Sequence, residues 1–575
     1  MAAAGVAVAL NLAGITWGLP GRWHPDEKAD AAAAMALEAR VRPDSYINPS
    51  LPLYLMAPPL WLQSRLAGTG LLRGRAADAL ALGRVLSALA GGAAVFVLGR
   101  AARRTYPALG ALPAFLLAAM PAAVNLCHFA TPEAWLLLGT AGTLALALAH
   151  LRGEAPAWAL GLVLGLTAST KYTAAALLAP ALAAVWLRDP PRSPESSRRA
   201  PLALVAGALL AAGLVLALGA AAPLAGGLHL EDARLLRAEY ALGFVRAMQA
   251  ALLLGGTALA LVLLLAPRYA WAARLAREEL AVVLVSATAG FLLGTPGALL
   301  EPRAFVSGLA FNHQTRFEYK GLVGASTSYL AYLRLLAEGL TGPFLVAVAA
   351  GMAVAAGRAL SRDRAAAVVL AALVAPYLLV ASSGHQALRF LAPALPAAAW
   401  LAAMGLGALP SPAARRAGFA LVLGRAALGA LLVVRLFFVD SRIAARRWIE
   451  GHVPAGATVD LITNNPGYAP DLPPGRTLRV VPTLGREMAP PERFAEAAAR
   501  YPSEAAPWLV LTASYYERFL EHPEQMPERT AFFRDLLEGR GGFDVAARFR
   551  QQGWLRPPVE FVDPEIVVLR KKPTS

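Results

Sequence analysis

Apolar residues in this chain come in long blocks of about 17–22, and short arginine-rich connections separate the blocks. A helix needs about 20 apolar residues to cross the roughly 30 Å hydrocarbon core of a bilayer. One such block could be a buried core helix, but about a dozen in one chain predict a polytopic α-helical membrane protein. Composition agrees: hydrophobic residues make up 57% of the chain, charged residues make up 16%, and mean hydropathy is +0.52.

The order of blocks and charges predicts about thirteen crossings in a multi-pass protein of the plasma (inner) membrane. Arginines in alternate connections follow the positive-inside rule, which puts the N-terminus in the cytoplasm and the C-terminus outside. The first block lacks a basic start and a clear cleavage site, so we expect an uncleaved span. The predicted crossings lie at about residues 2–19, 80–98, 107–126, 134–149, twice within 158–187, 201–222, 247–266, 279–299, 341–359, 365–382, 390–409 and 417–438.

The block at 158–187 has arginines on both sides, beginning with Arg152 before it and Arg188 after it. Two cytoplasmic flanks require an even number of crossings. We therefore expect a hairpin of two short helices whose outer tip is Ser169-Thr170-Lys171-Tyr172. A single tilted span is the alternative.

After residue 438 the apolar blocks stop and polar and apolar residues mix. A helix is predicted from Ser441, and short strand-like runs follow at 457–463, 508–512 and 565–569. The sequence therefore predicts two parts. Residues 1–438 form the membrane part, with a first outer loop at 20–78, and residues 439–575 form a small extracytoplasmic α/β domain.

The net charge of +16 would suggest nucleic-acid binding in a soluble protein. Here many of the arginines occupy short connections between spans, and no basic stripe with interleaved aromatic residues occurs, so no nucleic-acid partner is expected. Cys127 is the only cysteine. This excludes a disulfide framework and a cysteine-based metal site.

Acidic residues gather at the predicted outer turns. Asp26 and Glu27 follow the first span within His24-Pro25-Asp26-Glu27, and Glu133 comes at the next outer turn. Proline and acids in a first turn also make a good helix start, so a purely structural role is the alternative. The three carboxylates could also bind Mg²⁺ or Mn²⁺ through oxygen, although their spacing does not show that they meet.

These motifs resemble those of the lipid-carrier-dependent GT-C glycosyltransferases, which include protein O-mannosyltransferases and the aminoarabinose transferase of lipid A. The resemblance covers about the first 410 residues. Glu133 stands where many relatives have Asp, and Phe390 replaces their usual Tyr, which leaves the role of Glu133 open. The similar pieces are His24-Pro-Asp-Glu27, Asn48 to Tyr54, Gly83 to Ser87, His128 to Glu133, Gly165 to Tyr172 and Arg389 to Pro396.

The resemblance implies transfer of a hexose or pentose from a polyprenyl-phosphate sugar to an acceptor hydroxyl, on the outer face of the cell envelope. The acceptor could be a protein, a lipid or a glycan. Asp26 would act as general base, with Glu27 in support, and a single displacement implies inversion at the sugar. The leaving phosphate needs positive charge or a metal, for which Lys171 and Arg389 are the candidates.

Lysine is rare in this chain, at positions 28, 171, 320, 571 and 572 only, among 53 lysines and arginines. A lysine at an outer helix tip therefore favours phosphate binding by Lys171 over the alternative, an interfacial snorkelling residue. His313, Arg316 and Lys320 lie in a predicted outer loop at 301–338, where solvated loop residues are the alternative. The other candidate substrate-binding residues are His24, Glu133, Tyr172 and His385.

Two other classes of function fit a polytopic chain. A transporter or flippase of lipid-linked sugars would carry its ionisable residues inside the spans. A non-catalytic scaffold would bind glycan through its C-terminal domain and would not need Asp26. Because the acids and bases of this chain gather at outer turns, the enzyme is favoured.

Overall fold

Helices make up almost all of the chain as far as Phe438, and a mixed sheet follows. The helices are rich in Ala and Leu, which form helices readily and give apolar surfaces. The computed structural model describes residues 1–39, 42–43, 45–74, 78–189, 199–229, 236–319, 322–323, 329–486, 490–551 and 559–573.

The helices of the first part are α1 (Ala2–Leu12), α2 (Pro25–Ala36), α3 (Leu51–Gly68), α4 (Ala79–Thr105), α5 (Leu112–Ala118), α6 (Pro121–Cys127), α7 (Glu133–Leu151), α8 (Ala157–Ala168), α9 (Leu178–Leu187), α10 (Ala200–Val215), α11 (Ala221–Gly226), α12 (Ala238–Leu265), α13 (Ala270–Leu275), α14 (Glu278–Gly294), α15 (Gly297–Leu300), α16 (Pro302–Phe317), α17 (Tyr329–Leu340), α18 (Gly342–Leu360), α19 (Arg364–Ala381), α20 (Leu395–Gly407) and α21 (Pro412–Phe438). Short 3₁₀ segments lie at Pro107–Leu109, Tyr172–Leu177 and Leu388–Ala394, and the two-residue strands β1 (Glu318–Tyr319) and β2 (Leu322–Val323) pair antiparallel.

Within the described residues, eight helical stretches are long and apolar enough to cross a membrane. The predicted class, a polytopic helical membrane protein, is confirmed. The count of thirteen crossings and the orientation stay predictions. The stretches are 79–105, 133–151, 200–226, 238–265, 342–360, 364–381, 388–407 and 412–452, and shorter apolar helices lie at 2–12, 157–168 and 172–187.

Several predicted spans are shorter or more broken than the apolar pattern suggests. The first ends at Leu12 rather than residue 19, because Gly14 and Gly18 take positive φ angles of 81° and 66° and the chain turns. The span predicted at 107–126 divides into α5 and α6. Pro121 begins α6 and, having no N–H to donate, does not continue α5.

The block at 158–187 breaks where the charges predict its tip. Helix α8 ends at Ala168, and Lys171 adopts extended angles (φ −160°, ψ 136°) before the 3₁₀ turn that leads into α9. Both α8 and α9 pack against α7. A break at this place is what the hairpin predicts and a single tilted span does not.

Helices α8 and α14 approach so closely that only glycine fits between their backbones. A Cβ atom at Gly165 would lie 1.9 Å from the Ala287 carbonyl oxygen, and one at Gly161 would lie 2.4 Å from that of Val283. Small residues four apart let membrane helices pack backbone to backbone, where dispersion forces replace the hydrophobic drive available in water. This contact holds α8, and with it the tip that carries Lys171.

The second part contains α22 (Ser441–His452), β3 (Thr458–Leu461), β4 (Thr477–Val480), α23 (Pro482–Gly485), α24 (Pro491–Glu504), β5 (Trp508–Thr512), α25 (Ala513–Glu521), α26 (Pro527–Leu537), β6 (Phe543–Phe549) and β7 (Ile566–Lys571). The strand order is β4-β3-β5-β7-β6. Strands β3, β4 and β5 are parallel, and β7 pairs antiparallel with β5 and β6.

The predicted small α/β unit is therefore present. The three strand-like runs in the sequence are the central strands β3, β5 and β7, which are largely buried and read as continuous apolar runs. The edge strands β4 and β6 were not predicted, because β4 is exposed along its length and β6 alternates between buried and open positions.

A buried ionic cluster fastens this unit to the first part. Asp440 accepts hydrogen bonds from Trp17 Nε1 at 3.1 Å and from the backbone N–H of Asp563 at 2.7 Å, and it pairs with Arg442 at 2.9 Å. The Arg442 guanidinium also donates to the Trp23 carbonyl at 3.3 Å. The cluster joins the segment after α1, at Trp17 and Trp23, to the turn before β7, at Asp563.

The α8–α14 contact gives a direct test. Gly165→Ala should lower the free energy of unfolding by at least the roughly 1–3 kcal/mol typical of overpacking, because the methyl group meets backbone atoms that cannot rotate away. Gly207→Ala is the matched control, since a Cβ there meets nothing within 4 Å. Thermal unfolding in detergent micelles measures both. Equal midpoints for the two variants would contradict the close approach.

Candidate active site

One cavity of about 740 Å³ gathers most of the predicted site residues. Of the ten candidates in the sequence, seven line it and two, His24 and Glu27, lie behind its wall, whereas Lys320 lies outside the described residues. The seven are Asp26, Glu133, Lys171, Tyr172, His313, His385 and Arg389, and the cavity also takes in Asp30, Arg316, Phe244, Leu309 and Phe390.

His24 fixes the start of helix α2 and so the direction of Asp26. Its Nδ1 accepts the backbone N–H groups of Asp26 at 3.1 Å and Glu27 at 3.2 Å, and Pro25 occupies the first helical position. Burial lowers the pKa of His24, which keeps the ring neutral and able to accept. The ring packs between Phe129 at 4.3 Å and Phe561 at 4.5 Å. The predicted helix start is confirmed, and His24 acts as its cap.

Glu27, on α2, forms a buried ion pair with Arg84, on α4. Arg84 Nε and Nη2 donate to the two carboxylate oxygens at 2.8 and 2.6 Å, and the Ala130 N–H donates to Oε1 at 2.7 Å. The remaining guanidinium nitrogen of Arg84, Nη1, donates to the carbonyls of Ile15 and Trp17. Burial alone would raise the pKa of Glu27, but these partners lower it. Glu27 is fully buried and does not line the cavity.

Asp26, one residue earlier, faces the cavity with half of its side-chain surface open. Arg389 Nη1 donates to its Oδ2 at 2.8 Å. Burial would raise the pKa of Asp26, but the nearby positive charges, that of Arg389 first, together outweigh burial and lower the pKa. Arg389 stands in the 3₁₀ segment that precedes α20. This pair therefore joins helix α2 to a segment 363 residues later in the chain.

Glu133 and Lys171 form a second pair in the cavity. Glu133 begins α7, and Lys171 sits at the break between α8 and α9, where the Lys171 ammonium meets the Glu133 carboxylate directly. The Lys171 ammonium also lies 5.0 Å above the Phe390 ring, and the Arg389 guanidinium lies 5.7 Å from the same ring. Both cations therefore lie close to one aromatic ring.

Residues 302–317, predicted as part of an outer loop, form helix α16 instead. His313 lies on this helix with its ring 5.1 Å from Phe317, and burial lowers the pKa of His313. Arg316 donates from Nε to the Ser382 carbonyl at 3.1 Å. The sequence suggested a loop because its polar residues follow no clear helical stripe, but Pro302 in the first turn starts a helix.

Tyr172 and His385 line the cavity in structural contacts. The Tyr172 hydroxyl donates to the Tyr46 carbonyl at 2.7 Å, which ties the tip of the α8–α9 break to the first loop. The His385 carbonyl accepts from the Tyr332 hydroxyl at 2.6 Å, and its ring packs edge-on against Phe390 at 5.1 Å.

Comparison with known proteins relates one segment of the chain to an enzyme family. Residues 67–217, about a quarter of the chain, match the family model of dolichyl-phosphate-mannose-protein mannosyltransferases. The matched segment contains Arg84, Glu133 and Lys171, and it begins after Asp26. No curated protein matches this chain.

Three solved structures show a distant similarity to this chain. ArnT from Cupriavidus metallidurans bound to undecaprenyl phosphate is 15% identical with a TM-score of 0.42, over 99% of this chain and 97% of that one. The oligosaccharyltransferase AglB from Archaeoglobus fulgidus, with an inhibitory peptide and a dolichol-phosphate, is 14% identical with a TM-score of 0.39, over 79% of this chain and 58% of AglB. An oligosaccharyltransferase structure from Archaeoglobus fulgidus in complex with Zn and sulfate is 13% identical with a TM-score of 0.43, over 91% and 70% of the two chains.

The three acids that were candidate metal ligands each have a cation of their own. Asp26 pairs with Arg389, Glu27 with Arg84 and Glu133 with Lys171. Nowhere in the described parts of the chain do three His, Cys, Asp or Glu side chains converge as a metal site requires. A divalent cation would have to displace these arginine and lysine partners, so the donor set does not fit one.

Sequence reasoning missed Asp30, which also lines the cavity. It lies one helical turn after Asp26 and therefore on the same face of α2. Among the described residues it has no cation partner. Burial, with the charges of Asp26 and Glu133, raises the pKa of Asp30 well above its usual range, against the weaker opposite effect of Lys171. The four-residue spacing was the available signal.

The Glu27–Arg84 pair predicts a large loss of stability when it is broken. Glu27→Gln should cost about 3–5 kcal/mol, because it leaves the Arg84 charge buried without a counter-ion. The matched control is Glu38→Gln, whose Arg65 partner lies at the surface at 3.0 Å and contributes at most about 1 kcal/mol. Unfolding in detergent micelles compares the two. A Glu27→Gln protein as stable as the control would refute the structural role of the pair.

The raised pKa of Asp30 predicts a stability difference that depends on pH. The folded state holds the Asp30 proton more tightly than the unfolded chain does, so the carboxyl costs stability as pH rises above its unfolded value of about 3.9. Asp30→Asn removes this cost and should raise the unfolding midpoint at pH 7–8. Near pH 4 the variant and the wild type should unfold alike. A variant that is less stable at neutral pH would contradict the shift.

Proposed function

We propose that this cavity transfers a sugar, with inversion, from a polyprenyl-phosphate-linked donor to an acceptor hydroxyl. The observation that carries the proposal is a half-open carboxylate, Asp26, in one chamber with two cations, Arg389 and Lys171. The match of residues 67–217 supports it, since dolichyl-phosphate-mannose-protein mannosyltransferases are named for transfer from a lipid-phosphate sugar. The membrane part, residues 1–438, would hold the reaction, and the C-terminal domain, residues 439–575, would cover one side of it.

The proposed reaction is a single displacement. The acceptor hydroxyl gives its proton to an Asp26 carboxylate oxygen as its own oxygen bonds to the anomeric carbon. The bond between that carbon and the phosphate oxygen breaks, and its electron pair leaves on the phosphate. Because attack and departure occur on opposite faces, the configuration at the anomeric carbon is inverted.

The charge that develops on the leaving phosphate needs positive groups already in place. Arg389 and Lys171 would supply this charge, and both lie close to the Phe390 ring. Both cations are paired with acids of the cavity, so the donor phosphate must compete with Asp26 and Glu133. Drawing Arg389 toward the phosphate would also relieve its hold on Asp26, which would then take a proton more readily.

We further propose that the cavity faces the extracytoplasmic side. Helix α7 begins at Glu133 in the cavity and ends beside Arg152, and the break at Lys171 lies one short helix away from Arg188. The positive-inside rule assigns such arginine-bearing ends to the cytoplasm. The opposite ends, with the cavity and the α/β unit, would lie outside.

The proposal predicts that Asp26→Asn lowers turnover by about 10²–10⁴-fold, the range that a positioned general base contributes. Transfer from a radiolabelled polyprenyl-phosphate sugar, measured in proteoliposomes, gives the rate. Glu492→Gln, an exposed acid on α24, should keep wild-type turnover. Both proteins should have the wild-type unfolding midpoint. Full transfer by the Asp26→Asn protein would exclude Asp26 as the base.

The same vesicles test the alternative of a flippase. Donor translocation between leaflets, followed with a membrane-impermeant reagent, should show no difference between protein-containing and empty vesicles. Translocation that survives Asp26→Asn, in the absence of any sugar transfer, would favour the flippase instead.

A further inference from the structure

Glu560, in the C-terminal α/β unit and 534 residues after Asp26, contacts Arg389 of the cavity wall. Its Oε1 accepts the backbone N–H of Arg389 at 3.1 Å, and its Oε2 lies 3.7 Å from Arg389 Nε. Arg389 Nη1 at the other end of the guanidinium binds Asp26 at 2.8 Å. One arginine is thus shared between an acid of the membrane part and an acid of the α/β unit.

The residues after Glu560 hold it firmly. Phe561 has a positive φ of 64°, an uncommon backbone angle for a side-chain-bearing residue, and its carbonyl accepts from Arg442 Nη2 at 2.7 Å. Asp563 accepts the Ser441 N–H at 2.9 Å and gives its own N–H to Asp440 at 2.7 Å. The buried Asp440–Arg442 pair therefore sets the place of the turn that presents Glu560.

Phe561 adds two ring contacts, one with Arg389 and one with His24. Its ring lies 5.1 Å from the guanidinium carbon of Arg389 and 4.5 Å from the ring of His24, which caps the helix of Asp26. Arg389 and Glu560 expose only 17% and 21% of their side chains, so solvent screens their interaction weakly. The α/β unit is therefore in direct contact with Arg389 and with His24, the residue that caps the helix of Asp26.

We infer that Glu560 is a positioning residue for sugar transfer, which holds Arg389 at the cavity wall so that the guanidinium can pass from Asp26 to the donor phosphate. This inference rests on the proposed function. When an anion draws the guanidinium away from Asp26, Glu560 keeps the Arg389 backbone and Nε in place. Without Glu560, the negative charge that opposes the pairing of Arg389 with Asp26 is lost, and the base stays engaged.

The inference predicts a specific kinetic pattern. Glu560→Gln keeps an acceptor for the Arg389 backbone N–H but removes the competing charge, and Glu560→Ala removes both. Each should lower kcat by about 10–100-fold, the cost of misplacing a reacting group by a fraction of an ångström to about 1 Å. The KM for the donor should stay the same or fall, because the cavity loses one negative charge. Glu560→Asp should recover part of kcat.

The matched control is Glu565→Gln in the same unit. Glu565 also pairs with an arginine, Arg548, at 3.3 Å, but that pair does not line the cavity. It should leave kcat and KM as in the wild type. All variants are purified in detergent, and their unfolding midpoints are compared with the wild type before kinetics in proteoliposomes.

The outcomes separate the inference from the proposed function. Wild-type kcat in both Glu560→Gln and Glu560→Ala, or a loss that comes only through a higher donor KM, would overturn the positioning role. In that case Asp26→Asn and Arg389→Met would still abolish transfer if the proposed function holds. Transfer that survives in Asp26→Asn and Arg389→Met would instead overturn the proposed function itself.

Discussion

The burial of the Glu27 carboxylate beside the Arg84 guanidinium sets the geometry of the whole cavity. A carboxylate away from water is tolerated only with a close counter-ion and further hydrogen bonds, and Glu27 has both. Arg84 also donates to the carbonyls of Ile15 and Trp17, which follow α1. One ion pair therefore ties together the turn after α1, helices α2 and α4, and the turn before α7. The neighbouring residue Asp26 then has one direction open to it, toward Arg389.

The cavity itself is organised as two acid–base pairs that share an aromatic ring. Asp26 with Arg389 and Glu133 with Lys171 are each neutral as pairs, and Phe390 lies under both cations. An anionic substrate group that binds either of these two cations must therefore exchange with a carboxylate. Such an arrangement stores positive charge for a phosphate without leaving an uncompensated cation near the membrane.

Much of this could be predicted from local patterns. The length of the apolar blocks predicted the class, a helical membrane protein. The arginines on both sides of 158–187 predicted the break at Lys171. Arg84 stood in an apolar block, where an arginine usually signals a buried partner, but nothing in the spacing pointed to Glu27. Glu560 could not be found from sequence, because its contact with Arg389 depends on how two parts of the chain pack. The exposed strand β4 gave no apolar signal at all.

The cap on helix α2 has a consequence for acid tolerance. His24 accepts two backbone N–H groups through Nδ1, and a proton on that atom would turn an acceptor into a third donor facing the other two. Burial lowers its pKa, so the cap itself survives mild acid, while the unfolded chain takes up a proton below about pH 6.5. The contribution of this ring to the free energy of unfolding is therefore complete above about pH 6.5 and decreases as the pH falls below that value. The cap thus makes the folded protein less stable in acid than at neutral pH.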